Sequence, residues 1–212
     1  MPTASKRINK ILQILEREYP YEGSFLKHRN PFQLLVATIL SAQCTDKRVN
    51  KVTPALFKKY GTPSDFANTT PTELEQMVFS TGFYHAKAKN ITASCKKIVN
   101  EFGGKVPNTM EALLSLPGVG RKTANIILYK GFGKNEGIAV DTHVIRLSNL
   151  IGLVKTKNQG KIERELMAIV PKGYWDKLTE LFIRHGRNVC IARRPKCGKC
   201  AIRQYCDYGL AQ

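Results

Sequence analysis

The chain has 212 residues, of which 42% are hydrophobic, which is enough to bury a core in one or two domains of an ordinary globular protein. Its 34 lysines and arginines outnumber its 16 aspartates and glutamates and give a formal net charge of +18. Such an excess indicates an anionic partner, and nucleic acid is the commonest polyanion for a soluble domain, although a basic surface that is merely solvated has the same composition.

No segment of the sequence is predicted to span a membrane, because no apolar run reaches the roughly 18 residues of a membrane helix. The N-terminal stretch MPTASKRINKILQILEREY carries charges within its apolar pattern and lacks a small-residue cleavage site, unlike a secretory signal. We therefore expect an intracellular protein. The cytoplasm or nucleoid of a prokaryote is the expected location, and a monomer is the expected state.

Apolar residues recur with helical spacing along most of the chain and two-residue alternation is scarce, so the predicted fold class is all-α. Residues 8–15 carry one apolar face of a first helix. Residues 32–40 are apolar nearly all round, as in a helix buried within a domain. Further apolar stripes predict helices at residues 49–60, 88–102, 162–169 and 174–189.

The tetrapeptide TPTE predicts a helix start between two of these stripes. Thr70 has the position of an N-cap, Pro71 the first helical position and Glu73 the third. This spacing is that of a capping box, in which the side chain of each end residue binds the backbone N–H of the other.

The stretch LPGVGRKTANIIL predicts a tight turn between two helices. Pro117 ends a helix at residues 111–116, Gly118 and Gly120 allow unusual φ values, and Arg121 begins the next helix. A helix N-terminus offers unpaired N–H groups and a positive dipole end, so such a turn can hold a phosphate without reading bases. The same pattern also serves as a plain helix-to-helix turn.

Four cysteines crowd the C-terminal segment with the spacing Cys190-x6-Cys197-x2-Cys200-x5-Cys206. Four thiolates suit an iron–sulfur cluster or a structural zinc ion. Zinc sites usually pair two Cys-x2-Cys knuckles, whereas here one such pair has a lone cysteine on each side, which favours a cluster. Two further cysteines, Cys44 and Cys95, stand alone and are predicted to be small buried apolar residues.

Five stretches in this order resemble the endonuclease III family of helix-hairpin-helix DNA glycosylases and apurinic/apyrimidinic lyases. They cover the chain from about residue 31 to residue 206 and read LLVATILSAQCTDKRVNKV, TGFYHAKAKNI, LPGVGRKTANIIL, IAVDTHVIRLSN and HGRNVCIARRPKCGKCAIRQYC. The resemblance implies removal of oxidised or ring-saturated pyrimidines through a lysine Schiff base, followed by cleavage 3′ to the site by β-elimination.

The resemblance also implies an architecture. It places a six-helix barrel with the helix-hairpin-helix at residues 24–134. An iron–sulfur domain is formed from residues 1–23 and 135–212, with a cleft between the two domains. It further implies that the four C-terminal cysteines hold a [4Fe–4S] cluster and that the partner is double-stranded DNA with damaged bases or abasic sites.

Two residues receive catalytic roles from the resemblance. Lys122 is the nucleophile that attacks the sugar C1′. Asp141 follows the pattern of a helix N-cap, and the resemblance assigns it a catalytic carboxylate that stabilises positive charge at C1′. The two roles of Asp141 are compatible.

DNA contacts follow from the same resemblance. Gln43 fills the gap left by an extruded nucleotide, and Phe83 is a wedge on the opposite strand at a position where other members often carry leucine. A hydrophobic contact after a helix end at Gly82 is the alternative for Phe83. The remaining predicted contacts lie in the hairpin and the basic C-terminal loop, and comprise Leu116, Gly118, Val119, Gly120, Arg121, Arg193, Arg194 and Lys196.

Two other functions stay open on the sequence. One keeps the fold but acts on uracil or thymine opposite guanine, or on abasic sites only. The other is a non-catalytic iron–sulfur protein that binds DNA, against which the presence of Lys122 and Asp141 argues.

Overall fold

The structure is a computed structural model that describes residues 4–20 and 23–212. All regular secondary structure in these residues is helical, which confirms the predicted all-α class. The α-helices of this part of the chain are α1 (Ala4–Glu18), α2 (Pro31–Leu40), α3 (Asp46–Lys59), α4 (Pro63–Asn68), α5 (Pro71–Val78), α6 (Tyr84–Phe102), α7 (Met110–Leu114), α8 (Arg121–Phe132), α9 (Thr142–Ile151), α10 (Gln159–Ile169), α11 (Trp175–Asn188) and α12 (Asp207–Leu210).

Short 3₁₀ turns occupy Phe79–Thr81, Lys172–Tyr174, Cys197–Lys199 and Arg203–Tyr205. Within the described ranges, no helix combines the length and apolarity needed to cross a membrane. The chain divides into two compact units, one made of Met1–Glu22 with Asn135–Gln212 and the other of Gly23–Lys134.

The unit Gly23–Lys134 is built around α2. The side chain of Asn30 caps this helix by accepting a hydrogen bond from the backbone N–H of Gln33, and Pro31 occupies its first position. Eight of its residues, Phe32 and Leu34 to Leu40, are buried. Helix α2 packs against α3, α6 and α8, so its nearly continuous apolar sequence reflects contact on all sides.

The predicted N-cap at Thr70 is confirmed, but the predicted reciprocal capping box is wrong. Thr70 Oγ1 accepts a hydrogen bond from the backbone N–H of Glu73 at 3.3 Å. The Glu73 carboxylate does not return to the cap and instead binds Lys59 and the hydroxyl of Thr69. A complete capping box does occur one helix earlier, between Thr62 and Asp65 at the start of α4.

The unit that contains both chain termini has its own apolar core. Ile8, Ile11, Leu12 and Leu15 form the buried face of α1, as the sequence predicts, and α1 packs against α10 and α11. Helix α9 packs against α11 and α12. Arg7 links α1 to the C-terminal helix, because its guanidinium contacts the Asp207 carboxylate at 2.6 Å.

Candidate functional site

The hairpin turn between α7 and α8 needs a glycine at one of the two predicted positions. Gly118 has φ +79, and a Cβ added to it would lie 2.9 Å from Cβ of Asn90, so both backbone and space require glycine there. The prediction of an unusual φ at Gly120 is wrong. Gly120 has φ −93 and ψ 175, an extended conformation that any residue adopts, and it is the N-cap of α8.

Hydrogen bonds and buried side chains fix the hairpin to its own unit. The hydroxyl of Ser94 donates a 2.6 Å hydrogen bond to the carbonyl of Pro117, and the N–H of Val119 donates to the carbonyl of Leu116 at 3.1 Å. The side chains of Leu116 and Val119 are 2% and 6% exposed, respectively. Both residues were predicted to contact DNA. Their side chains pack in the core, so only their main-chain groups are available to a ligand.

The start of α8 is open to an approaching group. Gly120 provides no side-chain cap, and a Cβ placed on it would meet no atom within 4 Å. Arg121 and Lys122 occupy the first two positions of the helix, and both are exposed. An anion at this helix end would meet uncapped N–H groups, the positive dipole end and two cationic side chains.

Asp141 is the N-cap of α9, as its sequence pattern predicts. Its Oδ1 accepts a hydrogen bond from the backbone N–H of Val144 at 2.8 Å. The cap bond engages one oxygen of the half-buried carboxylate, which has a second oxygen for other chemistry. Lys122 and Asp141 belong to different compact units, and their joint role in catalysis stays a prediction.

Gln43 and Phe83 share a rare backbone conformation. They have φ values of 51 and 49, and no other non-glycine residue in the described part of the chain has a positive φ. Left-handed conformations of this kind are strained and cluster at functional sites. Both residues are exposed, Phe83 to 64%, and Phe83 follows Gly82, which ends the 3₁₀ turn Phe79–Thr81.

Phe79, four residues before the predicted wedge, is a further exposed aromatic residue that no sequence motif indicated. Its side chain is 63% exposed, and its ring packs against Tyr84 with centroids 4.8 Å apart. Phe79, Phe83 and Tyr84 therefore place three aromatic rings within six residues of chain. The sequence signal that could have indicated Phe79 is its position as an apolar residue in the short stretch FSTGFY.

The four C-terminal cysteines line one cavity together with apolar side chains. Cys197 lies in a 3₁₀ turn, Cys206 caps α12, and all four are half-buried. Burial raises the pKa of the Cys190, Cys200 and Cys206 thiols above its ordinary value. The apolar lining includes Leu147, Ile151 and Ile202.

This arrangement fits a cluster better than a single ion. A zinc ion with Zn–S bonds of about 2.3 Å draws four sulfurs into near contact. Among the described residues, no group of three or more His, Cys, Asp or Glu side chains converges in that way. All four cysteines line one cavity, and a cluster that binds one thiolate per iron needs its four cysteines around one such space.

A half-buried arginine beside the cysteines, Arg146, also fits an anionic group. Nη2 of Arg146 donates to the carbonyls of Cys190 at 2.8 Å and Gly186 at 3.2 Å. Its buried Nε has no hydrogen-bond partner within the described structure. Since an unsatisfied buried donor is destabilising, a negatively charged cluster with its thiolates suits this position.

A second neighbour of the cysteines is His185, which is buried. One ring nitrogen, Nε2, lies 3.4 Å from Sγ of Cys200, and the other, Nδ1, lies 3.1 Å from the hydroxyl of Tyr19. Burial lowers the pKa of His185 to about 4, so the ring is neutral near pH 7.

The predicted phosphate contacts in the C-terminal loop are exposed. Arg193, Arg194 and Lys196 all reach solvent, and Nζ of Lys196 also donates to the carbonyl of Asn188 at 3.2 Å. Arg184 differs, because its guanidinium binds the Glu180 carboxylate at 3.1 Å. No acidic residue occurs from position 184 to 203, so the loop surface is strongly positive.

The two isolated cysteines differ in environment. Cys95 is buried as predicted, and burial raises the pKa of its thiol to about 12. The prediction that Cys44 is buried is wrong. It is half-buried in the loop before α3, because it follows the exposed Gln43 instead of lying on an apolar helix face.

Comparisons with known proteins agree with this architecture. A family model described as HhH-GPD superfamily base excision DNA repair protein matches residues 36–172. The endonuclease III of a Synechocystis species is 50% identical over 211 residues, which cover 100% of this chain and 96% of that protein. The chain belongs to the endonuclease III family.

Two solved endonuclease III structures share its fold. A non-covalent endonuclease III–DNA complex has a TM-score of 0.93 and 42% identity, and the match covers 100% of this chain and 98% of that one. A trapped endonuclease III–DNA covalent intermediate, an estranged-adenine complex, also has a TM-score of 0.93 and 42% identity, with coverage of 100% and 99%.

Proposed function

We propose that this endonuclease III family member is a bifunctional DNA glycosylase and apurinic/apyrimidinic lyase of base excision repair. Its substrates are oxidised or ring-saturated pyrimidines in double-stranded DNA. The observation that carries the proposal is the full-length match to an endonuclease III trapped covalently on DNA. A covalent intermediate requires a nucleophile, and Lys122 presents an exposed amine at an open helix start.

The proposed chemistry begins at Lys122. The lone pair of its unprotonated Nζ forms a bond to C1′ while the bond from C1′ to the damaged base breaks. The bonding electrons leave with the base, which takes up a proton. Asp141 stabilises the positive charge that develops at C1′ and accepts a proton from the attached amine.

Strand cleavage follows from the same intermediate. The C1′–O4′ bond of the sugar opens, O4′ takes a proton, and the amine becomes an imine. Loss of a proton from C2′ then expels the phosphate at C3′, which cuts the strand 3′ to the lesion. When the substrate is an abasic site, the same amine attacks C1′ and water leaves in place of the base. The later steps are the same.

Access to C1′ requires that the damaged nucleotide leave the base stack. Gln43 and Phe83 are suited to fill the resulting gap, because both side chains are exposed and both backbones are held in left-handed conformations. The hairpin main chain around Gly118 and Gly120 and the exposed Arg193, Arg194 and Lys196 would bind phosphates without reading sequence.

Cys190, Cys197, Cys200 and Cys206 would hold a [4Fe–4S] cluster, one thiolate to each iron. When bound, the cluster cross-links the C-terminal segment and can accept or donate an electron. The proposed lyase chemistry needs no electron transfer, so these residues serve to order the basic loop. Relatives of bacterial origin support a location in the bacterial cytoplasm or nucleoid. The monomeric state stays a prediction.

Borohydride trapping tests the proposal, because it reduces an imine to a stable amine crosslink. The protein should become crosslinked to duplex DNA that contains thymine glycol, and Lys122→Gln should abolish the crosslink. Lys105→Gln is a matched control, since Lys105 is an exposed lysine of the same unit. Trapping on abasic DNA alone would support the narrower substrate, and trapping on neither DNA would contradict the proposal.

A further inference from the structure

Lys87 is a buried cation near the predicted wedge. It is 4% exposed, and among the 34 lysines and arginines of the chain it is the one that the described structure buries. Burial of an ammonium group is unfavourable unless the charge is compensated. Its place in the first turn of α6 adds a second unfavourable term, since the positive end of the helix dipole lies there.

Lys87 forms hydrogen bonds to the backbone before Gly82 and to the carbonyl of Phe83. Its Nζ donates a 2.8 Å hydrogen bond to the carbonyl of Thr81, and its backbone N–H donates to the carbonyl of Phe83 at 3.0 Å. Between these two carbonyls lie Gly82 and Phe83, with φ values of 69 and 49. One residue therefore holds both ends of two consecutive residues with positive φ.

Thr81 connects the turn held by Lys87 to the rest of the unit. This residue is itself 2% exposed, and its hydroxyl donates to the carbonyl of Val78 at 2.8 Å. With the Lys87 bond, the last residue of the 3₁₀ turn Phe79–Thr81 is fixed on both sides. The backbone that enters the Phe83 turn cannot shift without breaking a buried hydrogen bond.

The loop that carries Gln43 is connected to the same turn through helix α3. Helix α3 begins two residues after Cys44 and packs against the 3₁₀ turn Phe79–Thr81. The loop of Gln43 therefore leads into a helix that packs against the turn before Phe83.

We propose that Lys87 is a positioning residue that holds the turn of Phe83 in the shape needed to enter the base stack. This inference rests on the proposed function, because only an enzyme that extrudes a nucleotide needs a preset wedge. Presetting the strained turn removes the reorganisation that insertion would otherwise require. Lys87 acts through Phe83 and does not itself touch DNA.

Lys87→Met removes the ammonium group but retains an unbranched apolar side chain. We expect it to slow base removal from a thymine-glycol duplex by roughly ten- to a hundredfold, the effect of misplacing a positioned group. The lyase rate on single-stranded abasic DNA should change less than twofold, because no base has to leave a stack. Lys89→Met is the matched control, since Lys89 is exposed on the same helix.

A double-mutant cycle separates positioning from general destabilisation. If Lys87 acts through Phe83, Lys87→Met should slow base removal far less in a Phe83→Ala background than in the wild type. The same factor in both backgrounds, or an equal loss on single-stranded and duplex substrates, would overturn the proposal. If Lys87→Met does not fold, Gly82→Ala tests the same turn. It strains a φ of +69 without a clash, and an unchanged duplex rate would overturn the proposal.

A binding measurement keeps this test independent of catalysis. In a duplex with an uncleavable abasic analogue opposite 2-aminopurine, the wild type should change the fluorescence of that base on binding. Lys87→Met should bind the duplex with a smaller change. A full fluorescence change in Lys87→Met would overturn the positioning role, whereas a wild type that binds but never cleaves or traps would count against the proposed function alone.

Discussion

Ser94 holds the hairpin that carries Lys122, because its hydroxyl donates a 2.6 Å hydrogen bond to the carbonyl of Pro117. Ser94 and Asn90, whose side chain packs against Gly118, both lie on α6. The same helix starts directly after Phe83. One helix therefore supports both the predicted wedge and the turn before the predicted nucleophile.

Alanine at the two hairpin glycines should have different effects. Gly118→Ala combines a positive φ with a 2.9 Å approach to Asn90, so we expect a loss of more than about 1 kcal/mol in the free energy of unfolding. Gly120→Ala meets no neighbour and should cost less stability, but its methyl group stands before the start of α8 and should weaken DNA binding. Urea unfolding and DNA titration at fixed salt distinguish the two. Equal losses of stability would contradict this account.

Asp141 allows its capping and catalytic roles to be separated. Asn is as good an N-cap as Asp, so Asp141→Asn should keep the bond to Val144 and change the free energy of unfolding by less than about 0.5 kcal/mol. It should lose most of the turnover. Asp141→Ala should lose the turnover and also about 1 kcal/mol of stability. An undiminished rate in Asp141→Asn would refute the catalytic role.

The pH dependence of stability tests the burial of Lys87. Burial holds the pKa of this ammonium group below its ordinary value of 10.5. Between the two pKa values the unfolded chain binds more protons than the folded one, so the contribution of Lys87 to stability rises with pH. Measured by urea unfolding at pH 7.5 and 9.5, the wild type should gain stability relative to Lys87→Met. A relative loss at higher pH would show that the charge is compensated.

The Tyr19–His185–Cys200 arrangement predicts how removal of the Tyr19 hydroxyl would change the reduction potential of the proposed cluster. A thiolate only accepts hydrogen bonds, so beside a Cys200 thiolate of the proposed cluster Nε2 of His185 would donate to Cys200 and Nδ1 would accept from Tyr19. Hydrogen bonds to cluster sulfurs raise the potential.

Tyr19→Phe should therefore lower the potential in film voltammetry, because it no longer fixes the tautomer of His185. Tyr174→Phe is the control, since that hydroxyl binds Glu16 at 3.0 Å. A rise in the potential of Tyr19→Phe, or equal shifts in both variants, would argue against the hydrogen bond to Cys200.

Apolar spacing was sufficient to predict the long helices, because residues such as Ile8, Ile11 and Leu15 are fully buried on one helix face. Helices α4 and α12 span six and four residues, which is too short for a periodic pattern to emerge. The capping box at Glu73 failed for another reason. Lys59 lies 14 residues away in sequence, and its competition for the carboxylate depends on tertiary packing.

In the candidate site, too, features set by local sequence were predictable and features set by tertiary packing were not. Local motifs identified the hairpin, the cap at Asp141 and the cysteine spacing, because each depends on residues close in sequence. Burial of Lys87 and the half-exposure of Cys44 depend on how neighbouring loops pack, which no local pattern records. A lysine in a first helical turn is ordinarily a solvated charge, so sequence alone gave no reason to consider Lys87.

The central claim is that the amine of Lys122 becomes bonded to deoxyribose, and peptide mapping tests it most directly. After borohydride trapping on thymine-glycol duplex DNA and digestion of both polymers, mass spectrometry should find the sugar remnant on Lys122. The peptide that contains Lys89 should stay unmodified. A remnant on any other residue, with Lys122 intact, would contradict the account.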